Sequence, residues 1–263
     1  MKTVLEVLKL SGEFLGDKRL AEEVLGFVLK LKRLALYLQF DRPVIEEELI
    51  QIREVLKRCK KGEPLEYVMG EVEFFGCAIK VDPRVLIPRP ETEILVGMIL
   101  KKIEGGTVWD LCTGSGCIGI ALKKARPELT VALSDISSEA LALAAENGQR
   151  NGVDVEILQG DLFAPFKGRK ADVIICNPPY ISQSEFGQLA PSVKDFEPTL
   201  ALLAGEGGLE FYTRLASELP HYLNSSGQAF FEIGSRQGPP LQKLFPHGTL
   251  HSDWAGHPRF FFC

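Results

Sequence analysis

The stretch TVWDLCTGSGCIGIALKKARP, residues 107–127, decides the fold of this 263-residue chain. It opens with a β-forming run, passes through a loop of small residues, and continues with apolar residues at helical spacing. A strand, a tight loop and a helix in that order form the first unit of a parallel sheet, whose strands need crossover connections. Gly114 and Gly116 can take positive φ, and a loop without bulk lets a ligand reach the backbone N–H groups at the helix start. By itself the loop fits a dinucleotide fingerprint, a nucleotide loop or a sharp turn. No Walker GK[ST] is present, which excludes a P-loop.

The alternation continues downstream. TVALSD (130–135), DVEIL (154–158), DVIIC (172–176) and GQAFFEI (227–233) read as strands. SSEALALAAENGQRNG (137–152) and GGLEFYTRLASELPHYL (207–223) read as helices, and PHGTLHSDWAGHPRFFFC (246–263) as a last strand pair around a turn. This predicts an α/β fold, a mostly parallel sheet covered on both faces.

Upstream the character changes. DKRLAEEVLGFVLKLKRLALYL (17–38) and DRPVIEEELIQIREVLKRCKKG (41–62) carry apolar residues at helical intervals, with Asp41 placed to cap the second helix. VEFFGCAIKVDPRVLIP (72–88) reads as a β-hairpin, and RPETEILVGMILKKI (89–103) as a helix with acids early and lysines late. The expected organisation is a helical bundle over residues 1–70, a hairpin linker over 71–90 and an α/β domain over 91–263.

Three acids stand at successive strand ends: Asp110 before the glycine loop, Asp135 closing TVALSD and Asp161 in LQGDLF. An acid at the second strand end accepts both hydroxyls of a ribose. One before the loop meets a cationic amino group, and one at the third strand end an exocyclic amine. So many acids repel phosphate, which favours S-adenosyl-L-methionine over NAD or ATP. The bland alternative is that each acid caps a helix or turn.

CNPPY follows the fourth strand, with Asn177 at its end. Pro178 and Pro179 fix the backbone extended, so that carbonyls project beside the Asn177 side-chain oxygen. Such acceptors grip the two N–H bonds of a planar –NH2 group, on which Tyr180 can stack. In-line methyl transfer then relies on positioning and oriented dipoles, with no strong general base evident. Alone, NPPY reads equally as a strand terminator.

These residues resemble the class I S-adenosylmethionine-dependent methyltransferases with an NPPY motif, within a Rossmann-like sheet. Closest are the protein N5-glutamine methyltransferases of bacterial peptide-chain release factors. The resemblance spans nearly the whole chain, on GEPLEYVMGEVEFFG, VLIPRPETEILV, DLCTGSGCIGIAL, CNPPYIS, EPTLALLAGEGGLEFYTRL and GQAFFEIGSRQG. It implies methyl transfer to the glutamine amide of a class-1 release factor's GGQ loop, leaving S-adenosylhomocysteine. It implies a cofactor site of Cys112, Thr113, Gly114, Ser115, Gly116, Asp135, Leu162 and Asn177, joined by the Asp110 and Asp161 read above. Asn177 to Tyr180 would hold the substrate amide. Arg89 and Glu91 would shape the cleft, Glu197 would lie in a covering loop, and the helical domain would help dock the release factor.

Two positions depart from the family. Cys112 stands where glycine is usual, so it needs a negative φ or carries strain. Leu162 stands where an aromatic residue often flanks adenine, which leaves adenine packing to Leu162 or Phe163. A ribosomal-protein glutamine methyltransferase, an adenine N6 DNA methyltransferase and a non-enzymatic binding scaffold are the alternatives.

Composition narrows these classes. The net charge is −5, and residues 1–80 carry 14 basic and 14 acidic side chains, so no basic face for direct nucleic-acid binding is expected. The six cysteines form no CxxC pair and no His clusters near them, so no metal site is expected. The acids within MKTVLEVLKLSGEFLG argue against a signal peptide, and no apolar run has the length of a membrane span. A monomer in the reducing cytoplasm is the expectation.

Overall fold

A computed structural model describes residues 1–263. The chain forms two compact units, Met1–Gly70 with Pro191–Phe196, and Glu71–Ala190 with Glu197–Cys263. No helix is long and apolar enough to cross a membrane.

The first unit contains α1 (Val4–Leu15), α2 (Lys18–Leu29), α3 (Arg33–Tyr37), α4 (Glu46–Lys60) and α5 (Leu65–Met69). Thr3 and Glu6 cap α1 reciprocally, and the Asp17 carboxylate accepts from the first N–H groups of α2. Val4, Val24, Leu25, Leu36 and Ile52 form its core. Glu22 is buried at 2% exposure there and is fully partnered. The Tyr37 hydroxyl and Arg33 Nε, the latter at 2.7 Å, both donate to it. The Tyr37 bond foremost, with Arg33 behind it, holds this carboxyl below its ordinary pKa.

The expected Asp41 cap is corrected. Helix α4 starts at Glu46, and Glu48 accepts from Ile45 N at 3.1 Å. Residues 42–44 instead run antiparallel to the N-terminus, with Val4 N donating to Arg42 O and Val44 N to Lys2 O, each at 2.9 Å. Pro43 suits such an extended segment, because its ring fixes φ and disfavours a helical residue before it.

The second unit opens with the antiparallel hairpin β1 (Glu71–Phe74) and β2 (Cys77–Lys80), then α6 (Pro90–Leu100). Next come β3 (Thr107–Leu111), α7 (Cys117–Ala125), β4 (Thr130–Asp135), α8 (Ser138–Arg150), β5 (Glu156–Gln159) and β6 (Ala171–Cys176). Short helices α9 (Gln183–Phe186), α10 (Pro191–Lys194, grouped with the first unit) and α11 (Thr199–Leu202) precede α12 (Glu210–Tyr222). The chain ends with β7 (Leu223–Glu232), α13 (Gly238–Leu244), β8 (Thr249–Ser252) and β9 (Pro258–Phe262).

The α/β expectation is borne out. Seven strands form one sheet in the order β5-β4-β3-β6-β7-β9-β8. The pairs from β5 to β7 are parallel, and β9 runs antiparallel to both β7 and β8. Trp109, Phe166, Tyr212 and Phe231 fill the core on one face. Trp109 stacks on Phe166 at 4.0 Å between ring centroids.

Two expected boundaries change. The hairpin expected as a linker groups with the sheet unit, where Asn147 of α8 accepts from Lys80 N at 2.7 Å and Asn151 donates to Ala78 O at 2.9 Å. Residues 191–196 group with the helical unit, where Phe196 lies beside Gly62. Neither contact has a local sequence signal.

Candidate functional site

Strands β4 and β5 lie on one side of β3, and β6 and β7 on the other. Chain connections therefore diverge at the C-terminal ends of β3 and β6, and a crevice opens at such a switch point. Leu111 pairs with Cys176 across these strands, so the loop from Cys112 and the turn from Asn177 start side by side. A cavity of about 260 Å³ lies here.

The glycine loop is held from three directions. Thr113 N donates to Ser134 O at 3.0 Å, Gly114 N to Asp135 Oδ2 at 2.9 Å, and Asn147 Nδ2 to Ser115 O at 2.9 Å. These ties leave Cys112 at φ +54°, so the strained alternative holds for it. Leu162, the other residue that departs from the family, sits at φ +47°. Each left-handed non-glycine residue costs about 1–2 kcal/mol, and both line the cavity. A Cβ on Gly119 would lie 2.2 Å from Leu133 Cδ2, so a glycine here lets α7 pack close against β4.

The three acids divide their roles. Asp110 is buried beneath the loop at 1% exposure and does not line the cavity. Its Oδ2 accepts from the Thr113 hydroxyl at 2.6 Å and from Gly119 N at 3.1 Å, while Oδ1 has no partner. Burial pushes this carboxyl up to about 7, against the pull of those two hydrogen bonds. Its geometry supports the loop rather than contacting an ammonium directly. Asp135 does line the cavity, with Oδ1 accepting from Ser137 N at 3.0 Å. Burial raises its pKa, and the backbone N–H groups oppose that rise. Asp161 also lines the cavity, but Arg214 grips it with two bonds of 2.9 and 3.1 Å.

Cys112, Thr113, Gly114, Ser115, Leu162, Asn177, Pro179 and Arg89 also reach the cavity wall; Gly116, Pro178, Tyr180, Glu91 and Glu197 do not. The Asn177 side chain makes no hydrogen bond within the chain, which leaves its amide oxygen free to accept. Tyr180 packs against the core, and its Cδ2 would touch a Cβ built on Gly234 at 3.4 Å. Its hydroxyl is pushed up to about 12, mainly by burial. Glu197 is a buried anchor rather than a cleft residue, accepting from Ile87 N at 3.1 Å and from Arg89 Nη2 at 2.6 Å. Phe163 turns into the core and stacks on Tyr222 at 4.6 Å, so adenine packing does not fall to it. Ile136, Leu162 and Phe211 supply the apolar wall instead.

Asn147, Thr92 and Phe211 join the site through tertiary contacts, Asn147 by holding the loop and the other two on the cavity wall. Asn147 lies within a helical run with nothing local to mark it, whereas Thr92 sits inside the conspicuous PRPETE segment.

The site can be tested for the expected methyl donor. No lysine lines it, and its arginines are engaged: Arg84 with Asp82, Arg89 with Glu197 and Arg214 with Asp161. No free cation remains to hold a phosphate, while Asp135 and the loop N–H groups suit a phosphate-free nucleoside. Nowhere do three or more His, Cys, Asp or Glu side chains gather to hold a metal.

Similarity to known proteins identifies the family. Residues 90–226 match the methyltransferase small domain and residues 7–70 the PrmC N-terminal domain. A release factor glutamine methyltransferase from Chlamydia trachomatis serovar D is 42% identical over 255 residues, covering 93% of this chain and 86% of that protein. One from Bacillus cereus is 39% identical over 278 residues, covering 99% of this chain and 98% of its own. The crystal structure of a methyltransferase from Pyrococcus furiosus shares the fold, with a TM-score of 0.53 at 18% identity over 72% of this chain and 88% of that one. The chain belongs to the release factor glutamine methyltransferase family.

Proposed function

We propose that this chain transfers a methyl group from S-adenosyl-L-methionine to the side-chain amide nitrogen, N5, of the glutamine in the GGQ loop of class-1 peptide-chain release factors. One observation carries the reading: Asn177, an amide with no partner in its own chain, stands on the cavity wall next to the glycine loop.

The residues take these roles. Asp135 accepts the ribose hydroxyls while its other bonds tie the loop in place. Ile136, Leu162 and Phe211 enclose the adenine. The bound donor supplies an electrophilic sulfonium methyl. Asn177 Oδ1 accepts from the substrate –NH2 and aims its nitrogen lone pair, while Pro178 and Tyr180 fix the turn behind it. An acceptor on an N–H raises electron density at a nitrogen otherwise depleted by its carbonyl, and orientation lowers the barrier further. Arg89, fixed by Glu197, shapes the substrate side, with Glu91 on the same segment. Residues 1–70 form the release-factor docking unit, and the enzyme acts as a cytoplasmic monomer.

The test is incubation with isotopically labelled S-adenosyl-L-methionine and purified release factors, followed by peptide mass spectrometry. Label on the GGQ glutamine is expected. Label confined to a ribosomal protein or to DNA adenine would overturn the substrate assignment.

A further inference from the structure

Methylation of an amide poses a proton problem. As the nitrogen bonds to the methyl carbon, the carbon–sulfur bond breaks with its electron pair going to sulfur, and the nitrogen must shed one of its two protons. We propose that Thr92 and Glu232 form the outlet for that proton, a role that rests on the amide-methylation reading above.

The geometry is specific. Thr92 stands in the first turns of α6 and lines the cavity that Asn177 also lines. Its hydroxyl donates to Glu232 Oε2 at 2.7 Å. A hydroxyl has one proton to donate and two lone pairs, so this bond leaves Thr92 only acceptor capacity for the cavity. It accepts the amide proton as its own hydroxyl proton passes to Glu232 Oε2. The products are a methylated amide, an unchanged threonine and a neutral glutamic acid. Glu232 lies at the end of β7, one residue past the Cys176–Phe231 pair, and so beside the Asn177 turn.

The surroundings suit a proton acceptor. Glu232 is buried at 3% exposure and has no salt bridge. From the α6 side Arg89, Glu91 and Thr92 face it; from β9 comes Arg259, from the turn after β6 Tyr180, from α7 Cys117, and from α12 Tyr212. Both arginines are engaged elsewhere, Arg89 with Glu197 and Arg259 with Asp253. The Tyr212 hydroxyl donates to the Glu232 backbone carbonyl at 2.8 Å, which steadies the strand end without using the carboxyl. Burial pushes the carboxyl up to about 7, with the Thr92 bond and Arg259 opposing. A base performs best with its pKa near the working pH. Glu232 must be ionised to take the proton, so activity should fall as pH drops below about 7.

Glu232→Gln keeps an acceptor for Thr92 but cannot take up a proton. It should lower kcat about 100-fold and abolish the acid limb of the pH profile. Calorimetric affinity for S-adenosyl-L-methionine should not change. Thr92→Val should match that loss, Thr92→Ser should retain activity, and the double variant should be no worse than either single one, because the pair acts as a unit. Carbon NMR of the parent should show a carboxyl titrating near pH 7 that Glu232→Gln removes and Thr92→Val shifts. A Glu232→Gln enzyme within about threefold of the parent, with its acid limb intact, would overturn the outlet. If the parent labels no release factor, the substrate reading falls instead, and the NMR titration decides the pair: a Glu232 carboxyl in the ordinary range, or one indifferent to Thr92→Val, rejects it.

Discussion

Glu22 of the helical unit and the pair Asp110 and Glu232 of the sheet unit are carboxyls buried in opposite ways. In the helical unit Glu22 has a guanidinium and a phenol as partners, and its pKa is lowered. In the sheet unit Asp110 and Glu232 have hydroxyl and backbone donors but no cation, and both are pushed up to about 7. A buried charge that serves packing alone is neutralised, because an unpaired one is costly. Where the fold leaves carboxyls without cations, near an unpartnered Asn177, each bonds a residue of the cavity wall, Asp110 holding Thr113 and Glu232 holding Thr92. Unsatisfied capacity therefore marks the site more sharply than charge does.

Four substitutions test this contrast, in order of expected effect. Asn177→Ala should reduce kcat by about 100- to 1,000-fold while sparing the melting temperature and the affinity for S-adenosyl-L-methionine. Equal turnover of variant and parent would remove the clamp assignment. Asp135→Ala should raise the dissociation constant for S-adenosyl-L-methionine by roughly 10- to 100-fold, read by calorimetry, because it removes a charged acceptor and loosens the loop together. Glu22→Gln should do the reverse of Asn177→Ala. It should lower the melting temperature by about 5 °C and leave that affinity untouched; a weakened affinity would show that the two units do not differ as described.

Asp110→Asn has the smallest expected effect and depends on pH. Its amide oxygen can keep the bonds from Thr113 and Gly119. In the parent, the folded state holds a proton on Asp110 up to about pH 7, while the unfolded chain releases it near the ordinary aspartate value. More protons bound in the folded state mean that stability falls as pH rises through that window. The variant lacks this loss, so its melting temperature should gain on the parent's by a few degrees, about 2–4 °C, between pH 5 and pH 8. A difference constant across that range would mean that Asp110 does not titrate there.

Much of the architecture was legible because its signals are local. TVWDL and TVALSD coincide with β3 and β4, since alternating and helical periodicities are written within single segments. The Asp41 cap failed because residues 42–44 pair with the N-terminus, and the hairpin joined the sheet unit because Asn147 and Asn151 reach it from α8. Of the site, the cavity-facing loop residues, Asp135 and Asn177 could be read from their places at strand ends. Tyr180 and Phe163 could not be placed, because which face of a turn points to a cleft depends on what packs behind it.

The order of strands and helices, the glycine loop at one strand end and NPPY at another are written in the chain, and through them the chemistry on offer. How the acids divide is settled by packing between distant segments. Asp110 went beneath the loop, Asp161 went to Arg214, and Glu232 met a threonine 140 residues away. The reason is physical. Backbone periodicity is set by near neighbours, but the state of a carboxyl is set by the donor, cation or void that the fold brings beside it from anywhere in the chain.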